Sequence, residues 1–358
     1  MLTEMLPLIF ITKLNLGGIE RICTTLCNEW SRQGRRFLLY VSYDGGEMRQ
    51  AIQAQDNIFV SNTPARYSVW KLFRLCKQHP DSPLLVLNAE IGVVLLLLRC
   101  LRAINHRILF VESTAIFSHC SWWWLYLYRV FISQADGFIA QSKKGVASLE
   151  KLFPVGPRAR IIYNPCEFVN VESPSSFLTR TEEGRNFLIV SRLAPMKGHM
   201  RLLAAFCGME SNRWRLTIAG DGECREEISD EVKRLGVAEH VNIVGSVMDV
   251  RPLYEKADIF VMASEYEGLP NTLIEAIACG CRVLVVAGEG GTTEFMQTIG
   301  LGDFVFSEKD FVSRFEWCFQ KVEASDLSLW SNAYQRMSAL VHPVVVANQI
   351  WSFLKGDE

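Results

Sequence analysis

The fold of this chain is decided by the stretch SEYEGLPNTLIEA, residues Ser264–Ala276. It follows an apolar run at 258–263 that is typical of a buried parallel strand. It then leads into a helical pattern at 272–279. We therefore predict a loop at the carboxyl end of a strand, and this is the edge at which open α/β sheets bind their ligands.

The residue types in this loop suit a bound anion with hydroxyl groups. Gly268 lets the backbone approach a ligand closely, and Pro270 followed by Asn271 suits the start of a helix, where unpaired N–H groups favour negative charge. Glu267 and Glu275 supply carboxylates on either side. Taken alone, the stretch fits two solvated glutamates near a helix start equally well.

The same alternation of strand and helix extends outward through the whole chain. Strands are predicted at 8–11, 37–42, 84–87, 107–111, 137–140 and 161–163 in the first half, and at 186–190, 215–219, 241–244, 259–262 and 282–286 in the second. Helical patterns separate them, which indicates parallel, doubly wound α/β sheets.

A length of 358 residues fits two domains of this kind. We predict an N-terminal Rossmann-like domain at 1–168 and a C-terminal one at 185–340. A segment rich in proline, serine and charge at 169–184 is the predicted linker. A closing helix at 341–358 completes the chain.

Composition narrows the function classes. The eleven cysteines include no CxxC pair, which favours reduced thiols in a cytosolic protein. No basic segment precedes the first apolar run, so a secretion signal is not expected. The longest apolar run, 91–98, is far shorter than the roughly 20 residues of a membrane-spanning helix.

Charge is divided unevenly along the chain. Residues 1–165 hold 19 Lys and Arg against 11 Asp and Glu, a balance of +8, whereas 166–358 have a balance of −10. A basic first half suggests an anionic partner such as a membrane surface or nucleic acid. The aromatic, basic segment Trp122–Phe131 suits a membrane interface, or else an ordinary core helix.

Two further loops carry groups suited to phosphate. Arg192 and Lys197 follow a predicted strand, and such a pair can bind a pyrophosphate, although surface ion pairs would explain each residue alone. Gly17 and Gly18 follow the first strand and precede a helical pattern. This arrangement is typical of a loop that binds phosphate, and equally of a tight turn between strand and helix. No DxD, P-loop or HExxH motif occurs, which disfavours a metal-held diphosphate, so positive charges and loop amides would have to stabilise it. A diphosphate leaving group, two domains with a cleft between them and carboxylates suited to hydroxyl groups together predict a nucleotide-sugar as the ligand.

Four segments together resemble the family-four, retaining glycosyltransferases of the GT-B fold. They are Gly17-Gly18-Ile19-Glu20, Ser191-Arg192-Leu193 with Lys197-Gly198, Ala219-Gly220-Asp221-Gly222, and Glu267-Gly268-Leu269-Pro270-Asn271 with Glu275. The resemblance implies two Rossmann-like doubly wound domains that face each other across a cleft, the N-terminal one binding the acceptor and the C-terminal one the nucleotide-sugar. It also implies that the closing helix at 341–358 crosses back to the N-terminal domain.

The resemblance also implies roles for individual residues. Arg192, Lys197 and Glu267 would be the catalytic residues: the two cations would hold the donor diphosphate, and Glu267 would hold the donor sugar's hydroxyls. Glu275 would bind the ribose. The remaining donor-binding positions would be Gly17, Gly18, Glu112, Val247, Gly268, Leu269, Pro270 and Asn271. Val247 lies where the family binds the base, and Glu112 stands where many members have histidine. No metal site and no cofactor beyond the UDP-sugar substrate are expected.

The function that follows is retaining, metal-independent transfer of a hexose or N-acetylhexosamine from a UDP-sugar. The expected acceptor is a hydroxyl of a lipid-linked saccharide, on polyprenyl diphosphate, in the assembly of bacterial O-antigen, lipopolysaccharide or capsule. The enzyme would act at the inner face of the cytoplasmic membrane, through its basic N-terminal domain and without nucleic acid. The alternatives are a catalytically silent partner subunit that binds sugar nucleotide, and a nucleotide-sugar epimerase.

Overall fold

The computed structural model describes residues 5–63, 68–111, 122–152, 158–169, 185–209 and 214–357. The chain divides into two compact units: unit 1 comprises Met1–Glu167 and His342–Glu358, and unit 2 comprises Phe168–Val341. Apart from Val169, the predicted linker lies outside the described residues.

Unit 1 is built on a parallel sheet in the order β3-β2-β1-β4-β5-β6-β7, so the strand order reverses between β1 and β4. The strands are β1 (Leu8–Ile11), β2 (Leu38–Val41), β3 (Ile58–Val60), β4 (Leu84–Val86), β5 (Ile108–Val111), β6 (Gly137–Ala140) and β7 (Arg158–Ile161). The prediction of a strand at 161–163 was wrong, since β7 ends at Ile161 and begins at Arg158. Because β7 is an edge strand, it tolerates charged residues such as Arg158 and Arg160, which an apolar pattern does not detect.

Helices cover both faces of this sheet, which explains why the central strands are apolar throughout. One face packs against α1 (Gly18–Arg32) and the C-terminal helix Pro343–Lys355. The other packs against α2 (Val69–Gln78), α3 (Ala89–Cys100), α4 (Trp122–Phe131) and α5 (Lys143–Leu152).

Unit 2 has a six-stranded parallel sheet in the order β10-β9-β8-β11-β13-β15, with the reversal between β8 and β11. Its strands are β8 (Arg185–Val190), β9 (Trp214–Ala219), β10 (Val241–Gly245), β11 (Ile259–Met262), β13 (Arg282–Val286) and β15 (Val305–Phe306), and β12 (Tyr266–Glu267) pairs separately with β14 (Glu289–Gly290). Its helices are α6 (His199–Cys207), α7 (Arg225–Arg234), α8 (Arg251–Lys256), α9 (Asn271–Ala278), α10 (Thr292–Ile299), α11 (Glu308–Ser313), α12 (Phe315–Glu323) and α13 (Leu327–Val341). The prediction of two doubly wound α/β sheets is confirmed.

Two consecutive helices close the chain, α13 and α14 (Pro343–Lys355). Within the described residues, Leu327–Lys355 is the stretch long and apolar enough to cross a membrane by length and composition alone, and half of its most apolar window is buried. In unit 1, the indole N–H of Trp30 donates to the carbonyl of Ala347 (3.1 Å) and its ring meets Trp351 edge-on. These contacts are typical of the core helix of a globular protein.

Candidate functional site

Three loops meet at one edge of the unit 2 sheet because β8, β11 and β13 are parallel neighbours. The loops follow these strands at 191–198, 263–270 and 287–291. The first two flank the point where the strand order reverses, and in open α/β sheets this is the place where loops diverge and leave a ligand crevice.

An ion pair joins the first two loops across this point. The ammonium of Lys197 donates to Oε1 of Glu267, and the two side chains are 16% and 19% exposed. Lys197 ends a short 3₁₀ turn, and Gly198 follows in the left-handed conformation with φ 72°. The structure thus brings together two of the three side chains that the sequence assigned to catalysis.

The loop that carries Glu267 is fixed by backbone hydrogen bonds to both neighbouring loops. The amide of Glu265 donates to the carbonyl of Met196 (2.9 Å), and the amide of Glu289 donates to the carbonyl of Glu265 (2.7 Å). The amide of Gly291 donates to Gly268 (2.8 Å). Glu267 therefore sits on backbone that is held in place before any ligand binds.

Helix α9 begins directly after this loop. Gly268, Leu269 and Pro270 are buried and Asn271 is half-buried, and the N-cap residue is Pro270, whose side chain makes no capping hydrogen bond. One turn further on, Glu275 is 6% exposed and its Oε2 accepts a hydrogen bond from the hydroxyl of Tyr254 (3.0 Å). Tyr254 is itself fully buried, so it fixes the orientation of this carboxylate.

The buried residue His199 stabilises the Lys197 loop through a side-chain hydrogen bond. His199 Nε2 and Ser191 Oγ are hydrogen-bonded at 3.0 Å, which joins the two ends of the loop. Burial, and secondly the positive charge of Lys197, lower the pKa of His199 to about 4. The imidazole is therefore neutral near pH 7 and serves as a structural hydrogen-bonding group.

Residues 175–311 match the family model described as glycosyl transferases group 1. The match covers 137 of the 358 residues, among them Arg192, Lys197, Glu267 and Glu275, so this part of the chain is similar to that family.

Two curated bacterial glycosyltransferases are similar in sequence to this chain. A Campylobacter jejuni protein named as an N-acetyl-D-galactosaminyltransferase acting on a GalNAc-GalNAc-diNAcBac-PP-undecaprenol is 31% identical over 157 residues, 43% of this chain and 42% of the relative. The amylovoran biosynthesis glycosyltransferase AmsD of Erwinia amylovora is 26% identical over 73% of this chain and 75% of its own length. The chain thus spans about two fifths of the first relative and three quarters of the second.

Solved structures of glycosyltransferases share the fold of this chain. Anabaena HepE in complex with UDP-glucose is 21% identical, with a TM-score of 0.76 over 98% of this chain and all of that one. Sucrose-phosphate synthase from Thermosynechococcus elongatus is 18% identical, with a TM-score of 0.77 over 98% of each chain. These similarities establish the GT-B fold class.

The remaining predicted residues of unit 2 lie on loops at the same sheet edge. Arg192 is exposed on the Lys197 loop, and its backbone carbonyl accepts a hydrogen bond from the amide of Ala194 (2.9 Å). Val247 is half-buried and follows β10, two strands away from β8. Their roles in donor binding stay predictions.

In unit 1, the Gly17–Gly18 loop leads from β1 into α1, with Gly17 as an extended N-cap. A Cβ atom at Gly17 would collide with the carboxylate of Glu20, whose pKa is raised by burial. The amide of Thr12 donates to Oδ1 of Asn88 (2.8 Å). This bond joins the loops after β1 and β4, between which the strand order of unit 1 reverses. Sequence reasoning had assigned no role to Asn88.

Two expectations are outside what the structure tests. Glu112 lies outside the described residues, so its predicted contact with the sugar stays a prediction. Within the described part of the chain, no group of three or more His, Cys, Asp or Glu side chains is placed to hold a metal ion. The metal independence of any reaction likewise stays a prediction.

Proposed function

We propose that this chain is a retaining glycosyltransferase that moves a hexose or N-acetylhexosamine from a UDP-sugar to a hydroxyl of a lipid-linked saccharide. The observation that carries the proposal is the Lys197–Glu267 pair at the point in unit 2 where the strand order reverses, close to the start of α9. It places a cation for a diphosphate and a carboxylate for sugar hydroxyls next to each other.

Donor binding would exchange the partners of this pair. The ammonium of Lys197 would turn from Glu267 to the diphosphate, and Arg192 would grip further phosphate oxygens with its planar fork. The carboxylate of Glu267, released from Lys197, would accept hydrogen bonds from the hydroxyls of the donor sugar. The amides at 268–271 would complete the anion site at the helix start.

Glu275 would hold the ribose. A carboxylate accepts several hydrogen bonds at once, so the bond from Tyr254 leaves acceptor capacity for ribose hydroxyls. Because Glu275 is buried and already oriented, its side chain would lose little freedom when the nucleotide binds.

The transition state would develop positive charge on the sugar and negative charge on the departing diphosphate. Lys197 and Arg192 would stabilise the departing charge electrostatically, in place of a metal ion. The departing phosphate oxygen would accept the proton of the acceptor hydroxyl on the same face, which gives retention. Glu267 would orient the donor and would not act as a nucleophile of the kind that retaining hydrolases use.

The acceptor is assigned from relatives and charge. Two Campylobacter jejuni relatives are named for transfer to undecaprenol-linked saccharides, and AmsD is named for amylovoran biosynthesis. A polyprenyl diphosphate saccharide in surface polysaccharide assembly, as for O-antigen, lipopolysaccharide or capsule, is the matching substrate class here. Because residues 1–165 carry a balance of +8, we place the enzyme at the inner face of the cytoplasmic membrane.

The test is a UDP-release assay with a panel of UDP-, GDP- and ADP-sugars, a membrane lipid extract as acceptor, and parallel reactions with EDTA. We expect release from one UDP-sugar, only with the extract, and unaffected by EDTA. Product analysis by NMR then reports retention or inversion. UDP release without an acceptor would indicate a hydrolase. Conversion of the UDP-sugar into an epimer without an acceptor would indicate an epimerase, and bound UDP with no turnover would indicate a silent partner subunit.

A further inference from the structure

Large apolar side chains are exposed unevenly on unit 1. Trp70 is 70% exposed, Leu101 68% and Tyr126 61%, and all three lie on the side of the sheet that α2, α3 and α4 cover. On the opposite side, which α1 and α14 cover, Val344 is the exposed large apolar side chain within the described residues, and it is 38% exposed. We call the outer surface of α2, α3 and α4 the α2–α4 face.

Exposed basic side chains lie on the same sides of α2 and α4 as the exposed aromatic side chains Trp70 and Tyr126. On α2, Arg74 and Lys77 follow Trp70 at spacings of four and seven residues, so the three project from one side of the helix. On α4, Arg129 and Val130 follow Tyr126 at spacings of three and four and are exposed with it.

The helices on this side are also the basic ones. Helices α2 to α5 contain eight Lys and Arg against two Glu, a balance of +6. The helices on the opposite side, α1 and α14, contain three Lys and Arg against two Glu, a balance of +1. Among the helices of unit 1, positive charge is therefore concentrated on those that expose tryptophan, tyrosine and leucine.

Exposed aromatic and basic side chains on the same helices favour a lipid bilayer over another protein as the partner of this face. The core of a protein–protein interface is depleted of lysine, whereas α2 exposes Lys71 and Lys77 on either side of Arg74. A bilayer interface takes both groups at once, because aromatic rings enter the headgroup region while Lys and Arg bind anionic lipid headgroups. The exposed side chains of α2 and α4 meet both requirements without one acidic residue on either helix.

We propose that the α2–α4 face docks this protein on an anionic lipid bilayer. The inference deepens the proposed function, since docking would hold unit 1 at the surface where a lipid-linked acceptor lies. Its observations concern unit 1 alone and are independent of donor chemistry in unit 2.

The experiment is co-sedimentation of the full chain with vesicles of phosphatidylcholine alone and of phosphatidylcholine mixed with phosphatidylglycerol. We expect binding to the mixed vesicles only. The variant Arg74→Gln/Lys77→Gln should bind them about 30-fold more weakly, which corresponds to about 1 kcal/mol for each basic side chain at an anionic surface. The variant Trp70→Ser/Tyr126→Ser should lose about tenfold.

Matched controls lie on the opposite side. Arg32→Gln/Lys355→Gln removes two exposed charges there and Val344→Ser one exposed apolar side chain, and both variants should bind like the wild type. No binding by the wild type, or equal losses in the control variants, would overturn the proposal. A wild-type dimer in analytical ultracentrifugation that Trp70→Ser/Tyr126→Ser converts to a monomer would also overturn it, since the face would then be a protein interface.

UDP binding, measured by titration calorimetry in every variant, separates the two proposals. A protein that binds the mixed vesicles but neither binds UDP nor transfers sugar contradicts the proposed function and leaves the docking inference standing. A protein that transfers sugar to the lipid extract without binding vesicles contradicts the docking inference alone.

Discussion

The ammonium of Lys197 pairs with the carboxylate of Glu267, although 70 residues separate them in the sequence. The strand order of unit 2 makes this contact, since β8 and β11 are neighbours and the two residues lie on the loops that follow them. Both side chains are largely shielded from water, where a charge pair interacts more strongly than on an open surface. A donor diphosphate must therefore compete with Glu267 for Lys197.

Replacing Lys197 by alanine should reduce the rate of sugar transfer about 100- to 1000-fold, the effect of losing one preorganised charge from a developing anion. UDP binding should weaken as well, because the ground-state diphosphate loses the same cation. The measurements are kcat from UDP release and Kd from calorimetry. Lys233→Ala is the matched control, since Lys233 pairs with Asp230 on exposed α7. Equal activity in the two variants would contradict the role given to Lys197.

Replacing Glu267 by alanine should abolish transfer while leaving UDP binding largely intact, because the carboxylate faces the sugar and not the nucleotide in the proposed complex. Glu231→Ala is the control, as Glu231 is 16% exposed and pairs with Arg234 on α7. Calorimetry with UDP and with the UDP-sugar identified by the panel distinguishes the two parts of the donor. Loss of UDP binding in Glu267→Ala would show that this assignment is wrong.

The sequence predicted the strands and loops of the site well, because buried parallel strands are apolar throughout and their ends are marked by glycine or charge. It gave no indication of β3, whose three residues are partly exposed at a sheet edge. The two-residue ladder of β12 and β14 was missed as well, since a pattern of two residues has no period to detect. The roles of individual residues, in contrast, came from resemblance to a family.

Contacts between distant residues were the part that sequence reasoning could not supply. Lys197 and Glu267 were both assigned to donor binding, but their pairing depends on strand order. Tyr254 was missed because a single tyrosine in a short helix with mostly charged neighbours gives no sequence signal, and only the fold shows its hydroxyl reaching Glu275. His199 was likewise assigned no role.

Replacing Tyr254 by phenylalanine should raise KM for the donor about fivefold and leave kcat nearly unchanged. The change removes one hydrogen bond to Glu275, worth about 1 kcal/mol, and leaves the carboxylate less well oriented toward the ribose. Tyr334→Phe, at an equally buried tyrosine of unit 2, controls for a general effect on stability. A KM like that of the wild type in Tyr254→Phe would contradict a positioning role.

The stability of unit 2 should fall as the pH is lowered from about 6.5 toward 4. The unfolded chain protonates His199 near its ordinary pKa of 6.5, whereas burial and Lys197 lower the pKa to about 4 in the folded state. Acid therefore favours the unfolded chain, by up to roughly 3 kcal/mol once the pH is below both values. Urea unfolding across this range should show a weaker pH dependence in His199→Gln than in the wild type. Identical slopes would contradict this assignment, and the comparison cancels the contribution of other histidines.

Replacing Gly198 by alanine should impair both stability and transfer, because a Cβ atom there would collide with the backbone carbonyl of Ala263 and displace the adjacent Lys197. Gly236→Ala is the matched control: its φ of 70° is close to the 72° of Gly198, but no atom lies within 4 Å of the added Cβ. The control should lose about 1 kcal/mol of stability from the left-handed backbone alone and keep full activity. Gly198→Ala should lose more stability, measured by urea unfolding, and most of its kcat. If the two variants behave alike, close packing of Gly198 against the carbonyl of Ala263 does not position Lys197.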